Sequence, residues 1–200
     1  MSLFFETIRI LDGEAMHLKY HNRRFRRTRS ELFGIDEATD LGTLLDPPSR
    51  GLIRCKVIYD RQIRRIEYHP YTPRRIRSVR LLCSEITYDH KALDRRVLDE
   101  LFSRRGSCDE ILIVDPKGRL RDTSVANIAL QIDGEWLTPD TPLLPGTTRE
   151  RLIDEGFLRE APLTLKELPH ATAYAVLNAM TGFFPLHNPR FFSENRRRFC

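Results

Sequence analysis

Alternating and helically spaced apolar residues divide the first half of the chain into recognisable elements. Residues 4–10 predict a strand that is followed by a hairpin turn at Asp12-Gly13. Residues 51–59 and 63–68 predict a second hairpin. Between these hairpins the pattern predicts a helix over residues 19–33, which Gly34 ends. Its inward face is predicted to consist of Leu18, His21, Phe25, Thr28 and Leu32.

The second half alternates short apolar runs with turns. A strand over residues 79–83 precedes the predicted domain boundary, which divides the chain into 1–83 and 84–200. A helix beginning at Lys91 is predicted to bury Leu93, Val97, Leu98, Leu101 and Phe102. Strands follow at 110–114, 125–130 and 173–177, with a helix over 147–155. This mixture predicts an α/β sandwich followed by a barrel-like α+β domain.

Composition and charge are those of an ordinary enzyme. The 200 residues are 40% hydrophobic and 30% charged, with a formal net charge of +5. Basic residues are interleaved with acids and no stacking-aromatic motif accompanies them, so a nucleic-acid surface is disfavoured. We expect no signal peptide and no membrane span, and therefore a cytoplasmic protein.

Cysteines and histidines add no chemistry of their own. The four cysteines are widely spaced and form no C-x-x-C pair, which predicts reduced thiols. The histidines lack metal-ligand spacing, so no metal site is expected.

Three candidate residues or pairs occur in an order that suits pyridoxal phosphate. The amine of Lys91 can bond to the cofactor aldehyde, and Asp122 can pair with the ring nitrogen. Gly146 and the pair Thr147-Thr148 begin a helix whose backbone N–H groups can hold a phosphate. Each has an ordinary alternative: a solvated lysine, a turn aspartate that bonds its own backbone, and plain helix capping.

Further observations favour functional roles for Lys91 and Arg24. Lys91 is one of only 5 lysines in a chain that otherwise uses arginine, and arginine cannot form the bond to an aldehyde. Arg24 lies beside Phe25 on the predicted inward face, where a cation needs an anion. In the ordinary alternative, that anion is Glu6 or Glu31 in a salt bridge at the rim.

The joint order of these motifs resembles the class IV aminotransferases, which include branched-chain and D-amino-acid aminotransferases and aminodeoxychorismate lyase. The matching segments are His21 to Phe25, Lys91, Asp94-Arg95, Asp109-Glu110, Gly118-Arg119, Asp122, Asn127-Ile128, Thr138-Pro139 and Leu144 to Arg149. The family usually has glutamate at the position of Asp122. The strands that precede Phe-Glu-Thr in the family are absent, so the chain resembles a shortened form.

The resemblance implies a two-domain fold with pyridoxal 5'-phosphate held between the domains, and a homodimer. It implies that Arg24 binds the cofactor phosphate and that Asp122 pairs with the ring nitrogen. It also implies that Leu144 packs on the ring and that Asn127 is an interior hydrogen-bonding residue. The resemblance to the lyase branch adds a phosphate-side turn at Asn178-Ala179.

Amino-acid transamination by Lys91 is the first expectation for activity. Aminodeoxychorismate lyase is the second, because the segment Leu177 to Met180 resembles that branch. A non-catalytic relative or a basic binding module is the third. The substrate would be a small amino acid or an amino-chorismate. Its carboxylate has no residue-by-residue match, and Arg64 and Arg65 are candidates by position alone.

Overall fold

The computed structural model describes residues 2–193, which form two compact units. The first contains the residues up to Pro73 together with His90–Asp94, and the second contains Arg74–Asp89 and the residues from Arg95 onward. This division differs from the predicted boundary at 83/84. The strand Ser78–Cys83 pairs with Glu110–Val114 of the second unit, and the Lys91 segment pairs with the first strand of the chain.

The first unit is a four-stranded antiparallel sheet with one helix packed on it. Its strands are β1 (Phe4–Leu11), β2 (Glu14–Ala15), β3 (Leu52–Tyr59) and β4 (Ile63–Pro70). Their order in the sheet is β2-β1-β3-β4. Alternate residues of β1 turn toward the helix and join its apolar face, so the core contains Ile8, Phe25 and Val57. The other elements are α1 (Leu18–Phe33) and a 3-10 turn (Leu41–Leu44).

The helix α1 forms where the sequence predicts it, and Gly34 ends it in the left-handed conformation with φ 67°. The predicted inward face is partly wrong. Leu32 is 41% exposed, whereas Arg24 and Arg29 are buried. The reason is that charged groups on the inward side find partners there, which apolar spacing alone does not reveal.

The second unit contains two mixed sheets. One has the order β13-β5-β6-β7, and the other has the order β10-β9-β8-β11-β12. The strands are β5 (Ser78–Cys83), β6 (Glu110–Val114), β7 (Leu120–Thr123), β8 (Asn127–Ile132), β9 (Glu135–Pro139), β10 (Arg159–Ala161), β11 (Ala173–Asn178), β12 (Gly182–Leu186) and β13 (Arg190–Ser193). The helices are α2 (Arg96–Ser103) and α3 (Thr147–Asp154). The expected mixed α/β class is confirmed.

Two expectations about the second half need correction, and one alternative does not hold. Lys91 does not begin a helix, because α2 starts only at Arg96, and Val97 is 57% exposed. Asp122 lies on β7, so the alternative of a turn aspartate does not hold. Cys83 is disulfide-bonded, whereas Cys55 and Cys108 are free, so the expectation of four reduced thiols is wrong.

No helix in the part of the chain that the structure describes is long and apolar enough to cross a membrane.

Candidate functional site

Glu6 lies at the centre of a buried charged cluster in the first unit. Its carboxylate accepts hydrogen bonds from Arg24, from Nε at 2.9 Å and from Nη2 at 2.6 Å. His21 Nδ1 lies 2.7 Å from the same carboxylate. Burial alone would raise the pKa of Glu6, but the Arg24 charge and the hydrogen bonds from His21 and Arg24 outweigh it and hold the pKa at about 2. Glu6 is therefore a carboxylate that its own chain neutralises.

This cluster bears directly on Arg24. The ion pair with Glu6 is present, and it is buried and not at a rim, because both side chains are 5% exposed or less. A two-bond guanidinium pair of this kind fixes the orientation of Arg24. Its contact with a phosphate remains a prediction.

Lys91 is held in an extended segment beside β1. Its carbonyl accepts a hydrogen bond from Phe5 N at 3.0 Å, and Leu93 N donates to Leu3 O at 2.8 Å. Lys91 Nζ lies 4.7 Å from the centroid of the Phe5 ring. The main chain at Lys91 thus continues the sheet edge, which orients the amine more firmly than a loop would.

Asp122 is the centre of a different cluster in the second unit. Its Oδ1 accepts a hydrogen bond from Asn127 Nδ2 at 2.8 Å, and its Oδ2 accepts one from Leu144 N at 2.9 Å. Asn127 Nδ2 also donates to Leu144 O at 2.8 Å, which closes the ring of contacts. Asn127 therefore lies beside Asp122, as expected. Leu144 contributes its backbone to this cluster, which the sequence did not indicate.

The buried surroundings of Asp122 disfavour its charged carboxylate form. Burial raises its pKa to about 6, against the hydrogen bonds from Asn127 and Leu144 and the more distant charges of Arg149 and Arg121. Within residues 2–193 no cationic side chain donates a hydrogen bond to it. A buried acid of this kind is stabilised as a carboxylate by a positively charged group placed against it.

The start of α3 adjoins this cluster. A side chain at Gly146 would overlap Asn127 Oδ1, so only glycine fits the approach. No side chain caps the helix, and Thr147 and Thr148 are buried at its first turn. The first N–H groups of a helix have no intrahelical acceptor and favour an anion. The geometry is thus suited to a phosphate.

The turn after β11 lies at the same end of its sheet. Leu177 pairs with Asn127, so Asn178-Ala179 follows directly beyond that pair. Asn178 Oδ1 accepts hydrogen bonds from Met180 N and Thr181 N, both at 2.9 Å. The side-chain oxygen of Asn178 therefore shapes the turn, and any ligand contact by this turn would come from its other polar groups.

Four further charged residues are Arg64, Arg65, Arg149 and Glu6. Arg64 is paired with Asp60 and Arg65 with Glu67, both on the surface of the β3–β4 hairpin. Sequence reasoning gave no separate role to Arg149, which is buried and donates to Pro139 O at 2.8 Å. The sequence pattern predicts Glu6 only as a rim partner of Arg24, although alternation along β1 places it on the face of Phe4, Ile8 and Ile10.

The family profile described as amino-transferase class IV matches residues 47–188. A Haemophilus influenzae protein without an assigned function is 34% identical over 184 residues, which is 89% of this chain and 97% of that protein.

Two solved structures are similar over nearly their whole length. A candidate 4-amino-4-deoxychorismate lyase from Haemophilus somnus has a TM-score of 0.83 and 29% identity, covering 91% of this chain and 98% of that one. A candidate amino-acid aminotransferase from Mesorhizobium loti has a TM-score of 0.82 and 25% identity, covering 96% and 100%. From the profile match and the Haemophilus influenzae relative together, the chain belongs to the class IV aminotransferase family.

Proposed function

We propose that this protein is a pyridoxal-phosphate-dependent enzyme that transfers the amino group of an amino acid. The observation that carries the proposal is Asp122, a buried acid held by Asn127 and Leu144 with a pKa raised to about 6. A protonated ring nitrogen is the cation that such a site suits. Pyridoxal phosphate, when bound, would supply an aldehyde for the substrate amine and a ring that draws electrons from the substrate Cα.

Residues around α3 would hold the phosphate. The uncapped N–H groups at Thr147 and Thr148 are the best candidates, because Gly146 lets the backbone approach without a side chain in the way. Arg24 would add a charge-assisted contact, although its guanidinium already bonds to Glu6. Asn178-Ala179 would contribute from the turn after β11.

Lys91 would hold the cofactor and later move a proton. Its amine would bond covalently to the aldehyde, and once the substrate amine displaces it, the free amine would remove the proton from the substrate Cα. The hydrogen bond from Phe5 N to the Lys91 carbonyl fixes the backbone while the side chain changes partner.

Borohydride trapping tests the assignment of Lys91. Reduction of the protein with pyridoxal phosphate should attach the cofactor irreversibly to the peptide containing Lys91, and Lys91→Ala should abolish both the label and the yellow colour. Lys117→Ala, in an exposed turn, is the matched control and should retain both. A label on Lys56, Lys117 or Lys166 in the wild-type protein would overturn the assignment.

Aminodeoxychorismate lyase activity is a second candidate for the same site. Its support is the similarity to the Haemophilus somnus protein together with the segment Leu177 to Met180. The two activities differ in what restores the starting enzyme. In a transaminase, an amino donor removes the visible absorbance and a 2-oxo acid restores it. A lyase would release pyruvate and 4-aminobenzoate from aminodeoxychorismate with no 2-oxo acid added.

A further inference from the structure

Two lysine ammonium groups share one aromatic ring in the first unit. Lys91 Nζ lies 4.7 Å and Lys56 Nζ lies 4.9 Å from the centroid of the Phe5 ring. The two nitrogens therefore cannot be farther apart than about 9.6 Å, the limit that these two distances set. Both are within the range at which like charges affect one another inside a protein.

Backbone pairing fixes the positions of both lysines. Phe5 lies opposite Ile58, and Thr7 lies opposite Lys56, so Phe5 and Lys56 share the sheet face turned away from α1. The Lys91 segment joins β1 through the hydrogen bond from Phe5 N. Strand register and backbone hydrogen bonds therefore set the positions of the two lysines beside Phe5.

The same sheet face is strongly cationic. The strand register places Arg9, Arg54 and His69 in one row across β1, β3 and β4, Thr7, Lys56 and Glu67 in the next, and Phe5, Ile58 and Arg65 in the third. Four permanent cations therefore share these three rows with one acid. That acid, Glu67, lies 2.5 Å from Arg65 Nη2 and 3.2 Å from His69, and it also lies opposite Lys56, whose charge, after the hydrogen bond with His69, helps to lower its pKa.

Glu6 and Glu31, two further acids of the first unit, also have partners. Glu6 lies on the opposite face of β1 and is paired with Arg24 and His21. His90 lies 3.6 Å from Glu31. Besides the charged and titratable groups of those three rows, the elements of the first unit that carry or adjoin the Lys91 segment include Glu6, His21, Arg24, Glu31, His90 and Asp94.

We propose that Lys56 is a positioning residue of the Lys91 site, whose ammonium disfavours a second positive charge there and so raises the fraction of the Lys91 amine that is unprotonated and nucleophilic. The inference rests on the proposed role of Lys91. Only an unprotonated amine can bond to an aldehyde or take up a proton, and a neighbouring cation raises the unprotonated fraction. Lys56 thereby acts on the chemistry without touching the reacting atoms.

The test is the pH dependence of amine labelling in the full chain without cofactor. Trinitrobenzenesulfonate labelling of each lysine, followed by peptide mass spectrometry, gives the pH of half-maximal reactivity at Lys91. In Lys56→Gln this pH should rise by at least about 0.3 or 1.3 pH units, for effective dielectric constants of about 80 or 20, because these figures apply at the largest possible separation of about 9.6 Å. Lys56→Arg keeps the charge and should match the wild type, as should the control Lys117→Gln in an exposed turn of the second unit.

Two outcomes would overturn the inference: an unchanged half-maximal pH in Lys56→Gln, or an equal rise in Lys56→Arg, which would indicate a packing effect. Lys56→Met provides a second uncharged variant if Lys56→Gln folds poorly, and it should give the same rise. Failure of the proposed function is distinct, because borohydride would then attach the cofactor to another lysine whatever the labelling at Lys91 shows.

Discussion

Glu6 in the first unit and Asp122 in the second are both buried carboxyls, but the surroundings lower the pKa of Glu6 and raise that of Asp122. Glu6 is 0% exposed and Asp122 is 5% exposed. Glu6 contacts the guanidinium of Arg24, and its pKa is about 2. Asp122 contacts the neutral donors Asn127 and Leu144, and burial raises its pKa to about 6.

Burial alone therefore does not distinguish a structural acid from one suited to a ligand. What differs is whether the chain itself supplies the opposite charge. Glu6 has that charge in place, so it stabilises the fold around α1 and β1. Asp122 is held in shape by hydrogen bonds without a cation bonded to it, which is the condition of a site prepared for a charged ligand.

The largest effect is expected from breaking the Glu6 cluster. Glu6→Gln removes the charge that offsets Arg24 in a buried setting, and we expect the free energy of unfolding to fall by about 3–5 kcal/mol. Urea unfolding at pH 7 measures it. Glu31→Gln is the control, because its side chain is 52% exposed, and it should lower the stability by less than about 1 kcal/mol. Equal stabilities of the Glu6 variant and the wild type would contradict the role assigned to this acid.

Asp122 should matter more for the reaction than for folding. Asp122→Ala and Asp122→Asn should slow the single-turnover reaction with an amino donor by about 10²–10³-fold, because neither offsets the ring charge. Asp122→Glu, which restores the residue usual in the family, should retain substantial activity. The decay of the visible absorbance after rapid mixing measures the rate.

Asp115→Asn is the matched control for Asp122. Asp115 is also a buried acid of the second unit, but Arg119 Nε already bonds to it at 2.6 Å. Its substitution should leave the single-turnover rate unchanged. Wild-type kinetics in Asp122→Ala would show that Asp122 only shapes the contact between β7 and Leu144.

The two acids should also give opposite pH dependences of stability. The pKa of Asp122 rises from 3.8 to about 6 on folding, so the folded state binds this proton more tightly than the unfolded state. The protein without cofactor should therefore lose up to about 3 kcal/mol from this group as the pH rises from about 4 to about 6. Urea unfolding across this interval measures the loss, which Asp122→Asn should abolish.

Glu6 provides the internal contrast. Its pKa is lowered from 4.5 to about 2, so its stabilisation is complete above pH 4.5 and is lost as the pH falls toward 2. Pyridoxal phosphate should flatten the Asp122 dependence and leave that of Glu6 unchanged. A stability profile of Asp122→Asn that matched the wild type between pH 4 and 6 would place the titration elsewhere.

The smallest effect should come from Arg24→Lys, which keeps the charge but loses the two-bond fork to Glu6. If Arg24 also reaches the cofactor phosphate, the affinity for pyridoxal phosphate should fall about tenfold, equivalent to about 1.4 kcal/mol. Equilibrium titration of the protein with the cofactor measures the affinity. Arg23→Lys, on the exposed side of α1, should change it little. Equal affinities in both variants would restrict Arg24 to its pairing with Glu6.

The spacing of apolar residues within single segments predicted several elements well, because a helix or strand produces its periodicity among residues close together in the chain. The helix α1 with its end at Gly34, the β3–β4 hairpin and the strand β6 form close to their predicted positions. Lys91 shows the limit. The apolar positions after it fit a helix, but its backbone donors and acceptors pair with Leu3 and Phe5. A contact between residues so far apart in the chain leaves no local pattern.

By itself the sequence determined the residue types that the proposed chemistry requires and their order along the chain: Lys91, Asp122, Asn127 and the glycine-threonine start of α3. Only the tertiary structure decided the charge balance around each of them. It paired Arg24 with Glu6, surrounded Asp122 with neutral donors, and brought Lys56 and Lys91 to the same ring. The physical reason is that a buried charge depends on what lies within a few ångströms in space, and strand register and helix packing set those neighbours.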